Sequence, residues 1–266
     1  MFWGWWVPYF IFILGPAGSG KTTLASGFGE WMVSNQLDVS IVNMDPAAES
    51  LPYTPDIDLR RFVNARDVMY KYNLGPNGAL IASIDMSIGY IDAIKDMIEE
   101  RRANYYLVDT PGQMEIFAFR PAGPLIVDKL SEGSGSLVLF LVDMFMASRA
   151  SSFASTLLLF LSTWLRIRKP QILVLTKIDL YPEDVLSNVL SWIEDPYLLI
   201  ESARKEGLSS YEEEIVLGIV DTALQNIDAI PVSAITWRGF DNLYATIQRI
   251  LAGGEDYYTE EPSPRL

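Results

Sequence analysis

Gly15, Pro16, Ala17, Gly18, Ser19, Gly20, Lys21 and Thr22 form a glycine-rich run that closes on a lysine and a hydroxyl. The run follows the apolar segment Tyr9-Phe-Ile-Phe-Ile-Leu14 directly and opens into a helix-like stretch from Thr23. A turn of this kind between strand and helix lets successive backbone N–H groups converge on phosphate oxygens, and the helix N-terminus adds partial positive charge. Lys21 would reach the β- and γ-phosphates, and the Thr22 hydroxyl would bind Mg²⁺. The alternative, a glycine-rich turn without a ligand, loses weight from the strand before it and the helix after it. The expected ligand is a nucleoside triphosphate whose base the loop does not specify.

Two later motifs fit the same ligand. Asp109-Thr-Pro-Gly-Gln113 closes the strand-like run Tyr105-Tyr-Leu-Val-Asp109, and ligands of parallel α/β sheets bind at such strand ends. Asp109 is placed to hold Mg²⁺, directly or through water. Gly112 can offer its backbone N–H to the γ-phosphate, because no side chain blocks the approach, and Gln113 can orient an attacking water. Thr176-Lys177-Ile178-Asp179 follows the run from Gln171. A carboxylate at Asp179 accepts from guanine N1–H and the 2-amino group while the Lys177 stem covers the base. Adenine lacks both donors and would leave the acid unpaired. The usual first residue of such a motif is Asn, and this chain has Thr176. Ser233-Ala234 follows the last apolar run, and a backbone N–H there can reach guanine O6; an ordinary strand-to-helix loop is the competing reading.

Composition narrows the chemistry. The 266 residues carry 34 acidic and 20 basic side chains, a net charge of −14, with no Cys and no His. The charge argues against binding nucleic acid by phosphate neutralisation. The missing residue types exclude disulfides, thiolate or imidazole zinc sites and histidine triads. Met1 to Val7 form an aromatic extension, and the apolar start holds Pro8 and is too short to span a bilayer. No other segment is long and charge-free enough for a clear membrane helix, so the expectation is a soluble, cytoplasmic protein that binds no membrane and no nucleic acid directly.

The elements that must position these residues alternate along the chain. Strands are expected at Tyr9 to Leu14, Val39 to Met44, Tyr105 to Asp109, Leu137 to Asp143, Gln171 to Thr176 and Ala229 to Ser233. Helices are expected from Lys21 to about Asn35, within Ala79 to Arg102, from about Ser148 to Arg166, after Pro182-Glu-Asp and from Phe240 to Leu251. A capping box, Ser209 with Glu212 or Ser210 with Glu213, opens another that ends near Gln225. Pro46 to Asn77 reads as irregular. Continuous β-rich runs separated by helices imply a mostly parallel central sheet with helices on both faces, a three-layer α/β/α P-loop NTPase fold. One domain is expected over 1–252, with insertions at about 46–78 and 182–226, and an acidic, mobile tail at 253–266.

The interval from Lys21 to Asp109 holds a helix, a strand, an irregular insertion and another helix, long enough for a parallel return. In this the chain resembles the signal-recognition and MinD-like (SIMIBI) branch of P-loop proteins rather than the Ras branch. Gly75-Pro76-Asn77, with Asp45-Pro-Ala-Ala-Glu49 and Asp109-Thr-Pro-Gly-Gln-Met-Glu115, resembles the GPN-loop GTPases. The resemblance implies a homodimeric GTPase in which Gly75, Pro76 and Asn77 of one subunit reach the phosphates bound by the other. It implies that Asp45 lies near Mg²⁺ and the catalytic water, and that Gln113 positions that water. Glu49 and Glu115 match motif positions with less defined roles. The implied substrate and product are GTP and GDP. The implied client is a macromolecular complex such as RNA polymerase, since the family is linked to its assembly. Arg120 is a candidate charge-stabilising group against the plainer reading of a surface arginine. The stripe Leu157-Leu-Leu-Phe-Leu161 with Trp164 suits either a core helix or a dimer surface. Other classes stay open: an assembly factor gated by nucleotide with negligible hydrolysis, and a MinD-like ATPase. A nickel-inserting metallochaperone would need the Cys and His that this chain lacks.

Overall fold

Seven apolar runs pair into one sheet. β1 (Tyr9–Leu14), β2 (Val39–Asn43), β3 (Ile57–Asp58), β4 (Tyr105–Asp109), β5 (Gly135–Asp143), β6 (Gln171–Thr176) and β7 (Ala229–Pro231) lie in the order β3-β2-β4-β1-β5-β6-β7. Every neighbouring pair is parallel. The computed structural model describes residues 6–207, Ser209, Gly218 and 227–252; the helix expected to end near Gln225 and the acidic tail fall outside them.

Alternate residues of each strand point to opposite faces, so a strand buried on both sides must be apolar throughout. Phe10, Phe12 and Leu14 of β1 join Val138, Phe140 and Val142 of β5 in one core, while Ile11 and Ile13 join Leu137, Leu139 and Leu141 in the other. The helices are α1 (Lys21–Ser34), α2 (Ala65–Tyr72), α3 (Pro76–Ser87), α4 (Ile91–Arg101), α5 (Met114–Ala118), α6 (Ala122–Leu130), α7 (Met144–Ala147), α8 (Ala150–Ile167), α9 (Glu183–Glu194), α10 (Pro196–Lys205) and α11 (Phe240–Leu251). α1 and α11 cover the Ile11 face through Leu24, Phe28, Phe240 and Leu243. α3, α4, α6 and α8 cover the Phe10 face, with α10 packed on α8 and α9. The expected three-layer α/β/α architecture is what the chain forms.

Several expectations need correction. Pro46 to Asn77 is not irregular: it holds β3, a 3₁₀ turn at Leu59–Arg61 and α2. Asp56-Ile-Asp-Leu-Arg60 alternates apolar and polar residues, a strand signal that the flanking prolines obscure. The Asn64 side chain caps α2 by accepting from Arg66 N–H. The single helix expected between Ala79 and Arg102 is two, α3 and α4, joined by a 3₁₀ turn at Ile88–Tyr90. α8 is long and apolar enough to cross a membrane by length and composition, contrary to the expectation that no later segment would be. Its Phe153, Leu157, Phe160 and Ile167 are buried in the sheet's core while Trp164 and Leu165 are exposed, so the apolar stripe is chiefly a core stripe.

α1 and the loop after β7 touch closely at one glycine. A Cβ on Gly27 would meet the Ala234 carbonyl oxygen at 2.3 Å, whereas one on Gly29 would meet the movable Ile41 Cδ1 at 2.8 Å. Alanine gains up to about 1 kcal/mol of helix propensity over glycine, and overpacking against backbone costs about 1–3 kcal/mol. Gly27→Ala is therefore expected to lower the denaturation midpoint, while Gly29→Ala changes it little. Thermal melts of both variants check this.

Candidate functional site

Because all strands run parallel, the loops after β1, β2, β4, β6 and β7 open at one edge of the sheet. The loop after β1 turns sharply. Gly15 has φ +152° and a Cβ there would lie 2.6 Å from the Leu141 carbonyl oxygen, and Gly20 has φ +93° as the N-cap of α1. Both positions require glycine. Lys21 folds back over this loop. Its Nζ donates to the carbonyl oxygens of Gly15 at 2.7 Å, Pro16 at 3.0 Å and Gly112 at 3.0 Å. Burial lowers the Lys21 pKa, and the charges of Asp109, Asp45 and Glu115 oppose that shift. The loops after β1 and β4 are thus joined by one cation. Ser19 Oγ is buried there without a hydrogen-bond partner.

Asp109 ends β4 as a buried carboxylate. Burial pushes its pKa up to about 6; hydrogen bonding from Tyr53 and the nearby Thr22 hydroxyl pull it down, Asp45 raises it and Lys21 lowers it. Tyr53 Oη donates to Asp109 Oδ2 at 2.8 Å, and Oδ1 is left buried without a well-formed hydrogen bond. An unsatisfied carboxylate oxygen beside a threonine hydroxyl fits a hard divalent cation that takes oxygen ligands. Among the described residues no group of three His, Cys, Asp or Glu side chains converges on a metal. That fits Mg²⁺, which takes one or two carboxylates and completes its shell with phosphate and water, and does not fit an all-protein cage.

Asp45 follows β2. Its Oδ1 accepts from Ala47 N–H at 2.8 Å and its Oδ2 from Gly112 N–H at 3.2 Å. The Gly112 amide expected to meet a γ-phosphate therefore has a carboxylate partner here. Gln113 Nε2 donates to Asn77 Oδ1 at 3.5 Å, the outer limit of a hydrogen bond, within the same chain. Gly75 is the N-cap of α3 and Pro76 its first residue, which leaves Gly75, Pro76 and Asn77 exposed. Glu115 is exposed on α5, and Glu49 lines a cleft of about 880 Å³ with Arg60, Arg61 and Pro76, to the side of the Lys21 loop. Arg120 pairs with Asp85 of α3 at 2.9 Å, which commits it to an ion pair.

The Thr176–Asp179 motif approaches the same loop from β6. Thr176 Oγ1 donates to Ser19 O at 2.7 Å, so the threonine that stands where Asn is usual still ties this motif to the glycine-rich loop. Lys177, at φ +63°, donates to Gly18 O at 2.6 Å and pairs with Asp143 at 3.1 Å. Asp179 is exposed just beyond, on a 3₁₀ turn. Ser233 Oγ accepts from Thr236 N–H at 3.1 Å, which shapes the loop carrying Ala234. The sequence reading missed Tyr53 and the network behind Asp45. There Asn43 Nδ2 donates to Asp58 Oδ1 at 2.9 Å, and Arg60 pairs with Asp58 at 2.7 Å and donates to Ala48 O at 2.8 Å. Burial raises the Asp58 pKa, but the hydrogen bonds from Arg60 and Asn43 outweigh it and leave it lowered.

Comparison with known proteins agrees with this geometry. A family profile described as "conserved hypothetical ATP binding protein" matches residues 13–253. GPN-loop GTPase 1 of Dictyostelium discoideum is 29% identical over 261 residues, 94% of this chain, and the chain spans 63% of that protein's length. The GPN-loop GTPase 2 homolog of the same organism is 30% identical over 246 residues, covering 89% of this chain and 78% of its own. A crystal structure of a GTPase in apo form from Pyrococcus abyssi superposes with a TM-score of 0.79 at 29% identity, over 91% of this chain and 97% of that one.

The buried Asp109 gives a pH-dependent test. Its pKa is about 6 in the fold against an ordinary 3.8, so between these values the folded chain binds more protons than the unfolded one, and the carboxylate's contribution to stability falls as pH rises. Asp109→Asn removes that loss. In EDTA the variant should match wild type near pH 4 and exceed it by about 1–3 kcal/mol at pH 7.5, read by denaturant unfolding at both pH values. A stability difference that does not change with pH would refute the assignment.

Proposed function

The chain belongs to the GPN-loop GTPase family, and from that premise we propose that it is a homodimeric, Mg²⁺-dependent GTPase that switches with its nucleotide. The observation that carries this reading is the meeting of Lys21, Asp109 and the Lys177–Asp179 motif around one loop. Lys21 exchanges its carbonyl acceptors for β- and γ-phosphate oxygens, which make stronger, charge-assisted bonds. The backbone from Gly15 to Thr22 cradles the phosphates, with Thr23 in the first turn of α1. Thr22 and Asp109 would hold Mg²⁺, with Asp45 close by. The ion neutralises phosphate charge and fixes the phosphate geometry when bound.

Gly112 N–H leaves Asp45 for the γ-phosphate, which releases the Asp45 carboxylate to face the attacking water. Gln113 orients that water, and Asn77 from the partner subunit supplies an amide donor. Glu115 adds to the negative field around Lys21. Asp179 accepts from guanine, Lys177 lies against the base and the Ala234 backbone, shaped by Ser233, reads O6. The exposure of Gly75 to Asn77, flanked by exposed Tyr70, Tyr72 and Leu74, supports a loop that works in trans. On the family resemblance alone, we assign the switch to assembly of a macromolecular complex such as RNA polymerase, in the cytoplasm.

Two variants test this. Asp179→Asn should move preference from GTP to xanthosine triphosphate by at least about 100-fold, measured by competitive titration; unchanged GTP preference defeats the guanine assignment. Asn77→Ala should slow hydrolysis on the order of 10- to 100-fold and leave GDP affinity nearly unchanged. Mixing Asn77→Ala with Lys21→Ala subunits should recover turnover if the loop acts across the dimer. No recovery would confine Asn77 to its own chain.

A further inference from the structure

Tyr53 belongs to none of the nucleotide motifs, yet it makes the well-formed hydrogen bond to the metal-site carboxylate. It sits between Asp45 and β3, its ring packed against the core on the Ile11 side of the sheet, and its hydroxyl donates to Asp109 Oδ2 at 2.8 Å. A carboxylate with one oxygen held by a fixed donor presents its other oxygen in one direction. Here that other oxygen is Oδ1, the buried atom without a well-formed hydrogen bond. A phenol suits the task because it is neutral and does not repel a cation as lysine or arginine would. A phenol holds its proton at neutral pH, so the hydroxyl is a donor to the carboxylate.

The segment that carries Tyr53 is itself pinned. Arg60 donates to Ala48 O and pairs with Asp58, and Asp58 accepts from Asn43 at the end of β2. We propose that Tyr53 is the positioning residue that aims Asp109 Oδ1 at the magnesium site. Outer partners of metal-binding carboxylates typically contribute in this way. The inference rests on the magnesium-dependent reading above and adds to it a residue outside the recognised motifs.

The test compares wild type, Tyr53→Phe and Arg60→Ala. Tyr53→Phe removes one hydroxyl and keeps the ring; Arg60→Ala loosens the same segment without touching Asp109. Dissociation of a fluorescent GDP analogue is followed against free Mg²⁺, with GDP affinity measured separately in EDTA. Tyr53→Phe is expected to raise the Mg²⁺ midpoint roughly 10- to 100-fold at unchanged GDP affinity in EDTA, with a smaller rise in Arg60→Ala, which keeps the Tyr53 hydroxyl. An unchanged midpoint in Tyr53→Phe, or an equal shift in Arg60→Ala, overturns the positioning role. Wild type indifferent to Mg²⁺ overturns the magnesium reading itself, and the inference with it.

Discussion

Lys21 carries its charge into a setting where it is only 5% exposed, and the three carbonyl oxygens that receive it come from two different strand-end loops. A buried ammonium is costly unless it is hydrogen-bonded and has negative charge nearby. The fold meets both conditions, with carbonyls in contact and the field of Asp109, Asp45 and Glu115 around them. That requirement fixes much else. β1 and β4 must be adjacent and parallel for Gly15 and Gly112 to face one ammonium, and they are paired from Tyr9 with Tyr105 to Ile13 with Asp109. The acids must be close without quenching one another. Burial, more than the charge of Asp45, raises the proton affinity of Asp109, and the Asp45 carboxylate takes backbone N–H donors.

The parts of this arrangement with strong local signals were legible in the sequence. β1, β4 and β6 and the last helix follow the runs read from periodicity, because a parallel strand buried on two faces is apolar throughout. The phosphate loop, Asp109, Gly112 and the Lys177–Asp179 motif stand together at one edge as their order along the chain implied. What stayed hidden depends on contacts distant in sequence. Tyr53 meets Asp109 across 56 positions, and a lone tyrosine among prolines carries no local signal of that meeting. α2 was missed because its apolar side is short: Ala65 and Val68 are its buried residues, and Val68 packs in a small separate cluster with Val63 and Ala79. Thr176 looked like a weakness in the base motif. Its hydroxyl serves as a tie to Ser19 O, a role that needs a donor and not specifically an amide.

The loop of Gly75 to Asn77 is exposed. It stands at the N-terminus of α3, within reach of Gln113 and linked through Asp85 and Arg120 to the chain just after α5. Movement of the segment after β4 would therefore be felt at α3 and at the exposed surface beside it. The exposed Tyr70, Tyr72 and Leu74 beside it make that surface partly apolar, as interfaces commonly are at their centres.

The matching family profile speaks of ATP, while the carboxylate of Asp179 offers acceptors that would suit guanine. Calorimetric titration of the same protein with GTP and with ATP, each with saturating Mg²⁺, tests the choice of base directly. GTP is expected to bind, with ATP at least about 100-fold weaker. ATP binding as tightly as GTP would contradict the guanine assignment.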